Sequence, residues 1–467
     1  MTMKRKFSVK AFLILLVCAL FLCGCSMEPE VEPQPQPPAD EISFTTTIPV
    51  MLNSTRLTLD CTYCTDYFRG DACVFDKDLA LLSLAIACPN ERAEIPAAFT
   101  AMEFDTQSSF WNDDTEINKC SYCFAHRTVD DHELIAVYVN WVDYDVEWAG
   151  NLTVGSKTEG VRADHEGFDL ASQWVYDNLK TYVEENFKDR NLKIWITGYS
   201  RAAAITDALA CKIIEKKELK VKQSDLYAYS FEAPASIDEE YVKEYQCIHN
   251  IVSQADIVAA LPPAAWGMAR PGVAVDITAD RDTINGYLSQ LFGEGVQMPV
   301  FTPDETYYTT PTKLVTFIMD TITEKGKEPS EAPAGCRDRE TYVTTVQPRL
   351  TYLTKLFMKD SRKALGLVKD ALMKKQEEEG MWALLALLSG DGFYEFVKPV
   401  LDANNIEYVD AELKEGCSLI SDIAQNGNIL TAAMLFADEA KSNSAKYTAA
   451  CHYPEVFYVL LKNYQNQ

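Results

Sequence analysis

The stretch "IWITGYSRAAAITDALA", Ile194 to Ala210, decides how the chain is read. Leu192, Ile194 and Ile196 alternate as a buried strand does, and Ile205, Leu209 and Ile213 recur every four residues as one helical face does. Between the two patterns lie Gly198, Tyr199 and Ser200, followed by Ala202, Ala203 and Ala204. Small residues on both sides of a serine are what a strand and a helix need when they meet at a very tight turn. That turn presents the hydroxyl as a nucleophile. The competing reading is a serine that only caps a helix, so the remainder of the chain has to decide between them.

Lys4, Arg5, Lys6 and Lys10 precede the apolar run "AFLILLVCALFL", which is too short to span a bilayer and reads as a signal sequence over residues 1–24. "LCGC", Leu22 to Cys25, resembles the lipobox of bacterial lipoproteins, and that resemblance implies lipidation of Cys25. Residues 25–41 are Pro- and Glu-rich and read as a tether with nothing to bury. The expectation is an extracytoplasmic protein held to a membrane by a lipid anchor at Cys25. The formal net charge of −26 falls to −30 once the four signal-region cations are removed, which excludes nucleic acid as a natural partner.

Eleven cysteines follow Cys25, including Cys61-x-x-Cys64 and Cys120-x-x-Cys123. An odd number cannot pair completely within one chain. Disulfides, a structural metal held by the two CxxC pairs, and free thiols all remain open at this point. The gap between the pairs is much longer than in a zinc ribbon.

Leu134–Trp141, Leu226–Pro234 and the run from Ile248 towards Asp256 read as buried strands, with an amphipathic helix at Phe168–Phe187. Strands alternating with helices predict a mostly parallel sheet covered on both faces, with its chemistry at the carboxyl ends of the strands. Ser200 and Asp256 both fall there. Residues 280–446 change texture to successive helical patterns and read as a helical insertion between 42–279 and 447–467.

A serine nucleophile needs an imidazole and an orienting carboxylate, ordered Ser, then Asp or Glu, then His in this kind of sheet. Of five histidines only His452 lies beyond Asp256, so the order singles it out. Its alternative is a surface histidine at the start of the last helix. Asp256 sits among Ile257, Val258 and Leu261, and Glu232 in "SFEAP" is the competing acid.

"KIWITGYSRAAAITDALA", "YAYSFEAP" and "IVSQADIVAALPP" resemble three successive motifs of the class 3 (fungal-type) lipases. "RADHEGF", with His165, Gly167 and Phe168, and "EWAGNL", Glu147 to Leu152, resemble two more. The resemblance covers about Ile135 to Gly272 and resumes at His452. It implies an α/β-hydrolase fold, a Ser200 nucleophile, an Asp256 acid and a His452 base. It also implies an oxyanion hole formed by the backbone N–H groups of Arg201 and Val142. No metal or organic cofactor is implied, and the expected partner is a lipid or small ester.

The chain departs from the family pattern at Asn140, Trp141 and Val142, where Arg-Gly-Ser/Thr is usual; Val142 keeps an N–H but lacks the bracing hydroxyl. An oxyanion donor contributes about 3–4 kcal/mol to transition-state binding. Two other readings therefore stand beside a membrane-tethered serine esterase or lipase. One is a weak or inactive hydrolase-fold lipoprotein that binds a ligand or partner at the cell surface. The other is a metal-stabilised surface protein built on the CxxC pairs. The helical insertion is expected to cover the site.

Overall fold

The apolar runs assemble into one sheet. The computed structural model describes residues 40–89, 91–112, 116–141, 146–242, 245–301, 310–316, 339–425 and 439–465. β1 (Ile42–Val50) and β2 (Thr55–Tyr63) pair as an antiparallel hairpin. Then follow β3 (Asp105–Phe110), β4 (Tyr122–Val129), β5 (His132–Val139), β6 (Asn191–Tyr199) and β7 (Leu226–Phe231). β8 (Ile237–Asp238) pairs with β10 (Met268–Ala269), while β9 (Ile248–Val252) and β11 (Val273–Asp276) complete the set. Among the described residues, seven strands hydrogen-bond in the order β11-β9-β7-β6-β5-β4-β3. The links β5–β6, β6–β7, β7–β9 and β9–β11 are parallel, and β3–β4 and β4–β5 are antiparallel. This is the mostly parallel sheet of an α/β-hydrolase.

The period of two along β6 shows how both faces are covered. Trp195 donates its indole N–H to Ser83 Oγ at 2.8 Å, and Thr197 donates to Ser83 O at 3.0 Å, so the odd positions meet the helix Lys77–Ala87. The even position Gly198 faces the helix Arg201–Lys216. A Cβ built there would lie 2.5 Å from Ala202 O and 2.6 Å from Thr206 Oγ1. Only glycine fits a strand that its own following helix approaches so closely. Helix Glu166–Asn186 packs beside that elbow helix, and its Gly167 abuts Gly150 of the short helix Trp148–Asn151.

Residues 42–133 contribute the β1–β2 hairpin, helix Lys77–Ala87 and the antiparallel strands β3 and β4. Beyond position 280 the first helix, Arg281–Phe292, buries Ile284 and Leu288 in the same core as the sheet. A separate apolar cluster joins the long helix Gln347–Glu379 to Gly392–Ala403 and Asp410–Gln425 through Leu353, Val368, Val397, Leu401 and Leu413. The chain then returns through Glu439–Ala450 to the terminal helix Pro454–Asn463, whose Phe457 enters the main core. Among the described residues no helix is long and apolar enough to cross a membrane. The expected signal sequence, Cys25 and nearly all of the expected tether lie outside the described residues.

The cysteines resolve partly. Cys61, Cys73, Cys88, Cys120, Cys123, Cys211, Cys247, Cys417 and Cys451 are thiols, and Cys336 is outside the described residues. Among the described residues no three His, Cys, Asp or Glu side chains are arranged to hold a metal. Burial pushes the Cys123 thiol up to about 12, so it is a packed apolar group rather than a reactive one.

Gly167→Ala tests the helix contact. The new Cβ would fall 2.0 Å from Gly150 O, a backbone atom that cannot move alone. The expected loss is about 3 kcal/mol of unfolding free energy, read as a lower urea midpoint at unchanged slope.

Candidate active site

β6 ends at Tyr199, and Ser200 turns the chain with φ 58° and ψ −126° before the helix Arg201–Lys216 begins. A non-glycine residue at such a φ stores about 1–3 kcal/mol and needs support from its surroundings. Two contacts supply it. Ser200 donates its amide N–H to Phe231 O at 2.8 Å, extending the β6–β7 register by one residue. Tyr199, fully buried, packs its ring 5.1 Å from Trp141 and 6.1 Å from Phe457.

The structure brings the three sequence-predicted residues together. His452 Nε2 lies 2.8 Å from Ser200 Oγ, and His452 Nδ1 lies 2.6 Å from Asp256 Oδ2. Asp256 follows β9 and is buried; its Oδ1 accepts the Val258 amide at 2.8 Å. His452 stands at a turn between two helices, where its amide donates to Ala449 O at 3.1 Å and its carbonyl accepts the Tyr199 hydroxyl at 2.7 Å. Ile257 donates to Thr448 O at 3.3 Å, which ties the acid's loop to the segment before His452. Glu232, the competing acid, is wholly buried at the end of β7 and does not contact the imidazole by any described hydrogen bond.

Arg201, directly after Ser200, buries its guanidinium in an ion pair with Glu147 at 3.0 Å, and it also donates to Cys120 Sγ at 3.6 Å. Asn112 donates to the other Glu147 oxygen at 2.9 Å. Burial raises the Glu147 carboxyl above its ordinary value, and Arg201 opposes that rise. The pair holds the short helix Trp148–Asn151 to the base of the elbow. Val142, expected as an oxyanion donor, lies outside the described residues. Asn140 and Trp141 are described: Asn140 is buried and accepts the Tyr138 hydroxyl at 2.9 Å.

Beside Ser200 opens an apolar cavity of about 220 Å³ walled by Phe168, Leu261, Trp266 and Tyr342 among others. Tyr342 comes from the expected insertion. Its ring lies 4.9 Å from Trp266 and its hydroxyl donates to Leu152 O at 2.9 Å. Arg339, one turn earlier, donates to the carbonyls of Gly155 (2.8 Å), Ala163 (3.1 Å) and Val154 (3.2 Å). Gln347 accepts the Val154 amide at 2.7 Å. Tyr342 is not legible in advance, since a single aromatic residue in a helical run reads as core. Glu147 opens the motif "EWAGNL" but follows Asp143 and Asp145 in a polar stretch, so nothing local marks it as the partner of Arg201.

His165 also lines the cavity. It stacks on Phe168 with ring centroids 3.9 Å apart, and burial, with Arg339 and Arg201 nearby, pushes its imidazole down to about 3. It is therefore a neutral packing group in the wall of the cavity that Ser200 also lines.

Residues 140–266 match the family described as lipase (class 3). Ser200 and Asp256 fall inside the match, and His452 outside it. No curated protein matches the chain. Among solved structures it is similar to a triacylglycerol lipase whose catalytic centre is described as a serine protease triad, at 21% identity and TM-score 0.36, over 45% of this chain and 83% of that one. It is also similar to the Rhizomucor miehei lipase propeptide complex, at 22% and 0.35 over 43% and 66%. A third is the mono- and diacylglycerol lipase from Aspergillus oryzae, at 16% and 0.33 over 45% and 82%.

The depressed His165 gives a pH prediction. Unfolded, it binds a proton near 6.5; folded, it does not until about 3, so its stabilising contribution is complete above 6.5 and is lost as pH falls through that window. Asp207, raised to about 7 by burial, acts in the opposite sense, so the comparison is made against a variant. Relative to wild type, His165→Gln should gain up to about 1.4 kcal/mol per pH unit on acidification between those values, measured by urea unfolding.

Proposed function

We propose that the chain, whose residues 140–266 match the class 3 lipase family, is a carboxylic ester hydrolase in which Ser200, His452 and Asp256 carry the reaction. Ser200 Oγ attacks the ester carbonyl while His452 Nε2 takes the hydroxyl proton. The imidazolium returns that proton to the leaving alcohol, leaving an acyl-serine that water hydrolyses by the same steps in reverse roles. Asp256 holds the imidazole through Nδ1. The observation that carries this reading is the unbroken run Ser200 Oγ–His452–Asp256 at 2.8 and 2.6 Å, in a site whose acid is fully buried. The Arg201 backbone N–H, first in the elbow helix, and that of Val142 would receive the oxyanion.

The substrate is a lipid ester. The 220 Å³ cavity, at about 30 Å³ for a water-sized group, has room for about seven such groups, which suits a short or medium acyl chain better than a long one. We further propose that the enzyme works outside the cytoplasm, tethered by lipid on Cys25. The basic and apolar residues before "LCGC" and the Pro/Glu-rich stretch after it support that placement. Loss of fatty-acid incorporation in Cys25→Ala is the expected result; retained incorporation would place the anchor elsewhere.

A fluorophosphonate probe should label wild type, and Ser200→Ala should lose both labelling and turnover of a p-nitrophenyl ester. Labelling that persists in Ser200→Ala excludes this serine, and absent labelling of wild type returns the chain to the ligand-binding reading. Asp256→Asn should keep the fold and lower kcat about 10⁴-fold.

Tyr342→Ala should shift the preferred p-nitrophenyl ester towards longer acyl chains by opening the cavity against Trp266. An unchanged chain-length profile would separate the cavity from acyl binding.

A further inference from the structure

A second carboxyl group lies beside the acid. Glu232 follows β7 with φ 52°, and its amide donates to Ile251 O at 3.0 Å, one residue beyond the β7–β9 register. That backbone turns its side chain inward, where it is 0% exposed against 1% for Asp256. Both Glu232 oxygens lie 3.2 Å from the Ser253 amide nitrogen, and the Ser253 carbonyl accepts the Asp256 amide at 3.0 Å, so a single turn holds two buried carboxyl groups close together. Two ionised carboxylates repel and are acceptors only, so a buried pair is favoured when one keeps its proton and can donate it to the other.

The surrounding donors say which. Asp256 Oδ1 receives the Val258 amide at 2.8 Å and Oδ2 faces the imidazole at 2.6 Å, so both oxygens already accept and favour the charge. Glu232 has only the one shared amide. The titratable or charged groups facing it are Asp256, Arg270, Tyr199 and Cys451. Arg270 spends donors on Ala233 O and Ala259 O, and burial keeps Tyr199 and Cys451 neutral. Burial first, and the Asp256 charge second, hold the Glu232 carboxyl well above the ordinary carboxylate range.

We propose that Glu232 is a positioning residue for the acid of the proton chain: its neutral carboxyl donates a hydrogen bond to Asp256, so the buried pair presents a single negative charge to His452. The inference rests on the Ser200–His452–Asp256 reading. The donor spreads the Asp256 charge and orients the carboxylate, and it prevents a second buried charge from trapping the imidazole in its protonated form.

The test compares Glu232→Gln with Glu232→Ala in the full chain, by pH profiles of kcat and kcat/KM on a p-nitrophenyl ester. A glutamine keeps a donor for Asp256 and an acceptor for Ser253, so it should hold kcat within about tenfold of wild type, with the acidic limb of kcat/KM in place. Glu232→Ala should lose about 30-fold or more in kcat, with little change in KM. Its acidic limb should also move to higher pH, because an undonated Asp256 binds the imidazolium more tightly.

An acidic limb that drops by about one unit in Glu232→Gln would mean that Glu232 is ionised in the wild type, and overturns the proposal. So would equal damage from Gln and Ala. Should neither variant fold, infrared spectra of wild type and Asp256→Asn at neutral pH serve instead. The carbonyl band of a protonated carboxyl should be present and should shift when its acceptor becomes an amide; no such shifting band overturns the proposal. If Asp256→Asn leaves turnover intact, the proton chain itself is misassigned and this inference goes with it. If Asp256→Asn is crippling while Glu232→Gln fails as above, only the role of Glu232 is wrong.

Discussion

Everything at the site depends on how closely one strand and its following helix approach each other. β6 runs down the middle of the sheet, and Gly198 leaves no room for even a methyl group against Ala202 and Thr206. That approach forces Ser200 into a backbone conformation that a serine alone would not choose. The cost, about 1–3 kcal/mol, is offset by the Ser200–Phe231 hydrogen bond and by the buried ring of Tyr199. The same turn sets the hydroxyl at the carboxyl edge of the sheet, where β7 and β9 end in register beside it.

His452 arrives from 196 residues beyond Asp256. Such a detour costs little in loop entropy when its ends are held, because closure entropy grows only with the logarithm of length. Here the ends are held by backbone contacts on either side: Ile257 to Thr448, and the Tyr199 hydroxyl to the His452 carbonyl. Phe457 then fixes the terminal helix against Tyr199 and Phe231. The imidazole is placed by the core, so its position does not depend on the helical layer's own cluster.

The parts of the fold that could be read in advance are those where pattern and packing agree. β5, β6, β7 and β9 are buried on both faces and appear as near-continuous apolar runs, and the Ser–Asp–His order left one histidine available. β3, "DTQSSF", is an edge strand with polar residues, so nothing in its composition distinguishes it from a loop. The CxxC pairs left disulfides, a metal and free thiols open; Cys120 is a buried thiol that accepts from the Arg201 guanidinium, a use that spacing does not encode. Glu232 was legible as an acid at a strand end. Its protonation was not, because that depends on a neighbour 24 residues away and on complete burial. Tyr342 illustrates the same limit: its importance comes from what lies opposite it.

Tyr342 also defines a seam. The family match ends at Trp266, and the ring stacked on Trp266 belongs to a segment outside that match, anchored by Arg339 on three carbonyls of the matched region. One residue of the cavity wall, Tyr342, therefore comes from outside the matched region that supplies Ser200 and the rest of the lining. Selection can recontour the wall through the helical layer while the elbow, whose tolerances are a fraction of an ångström, stays untouched. An appended layer of this kind lets one inherited reaction centre be refitted to new molecules without being rebuilt.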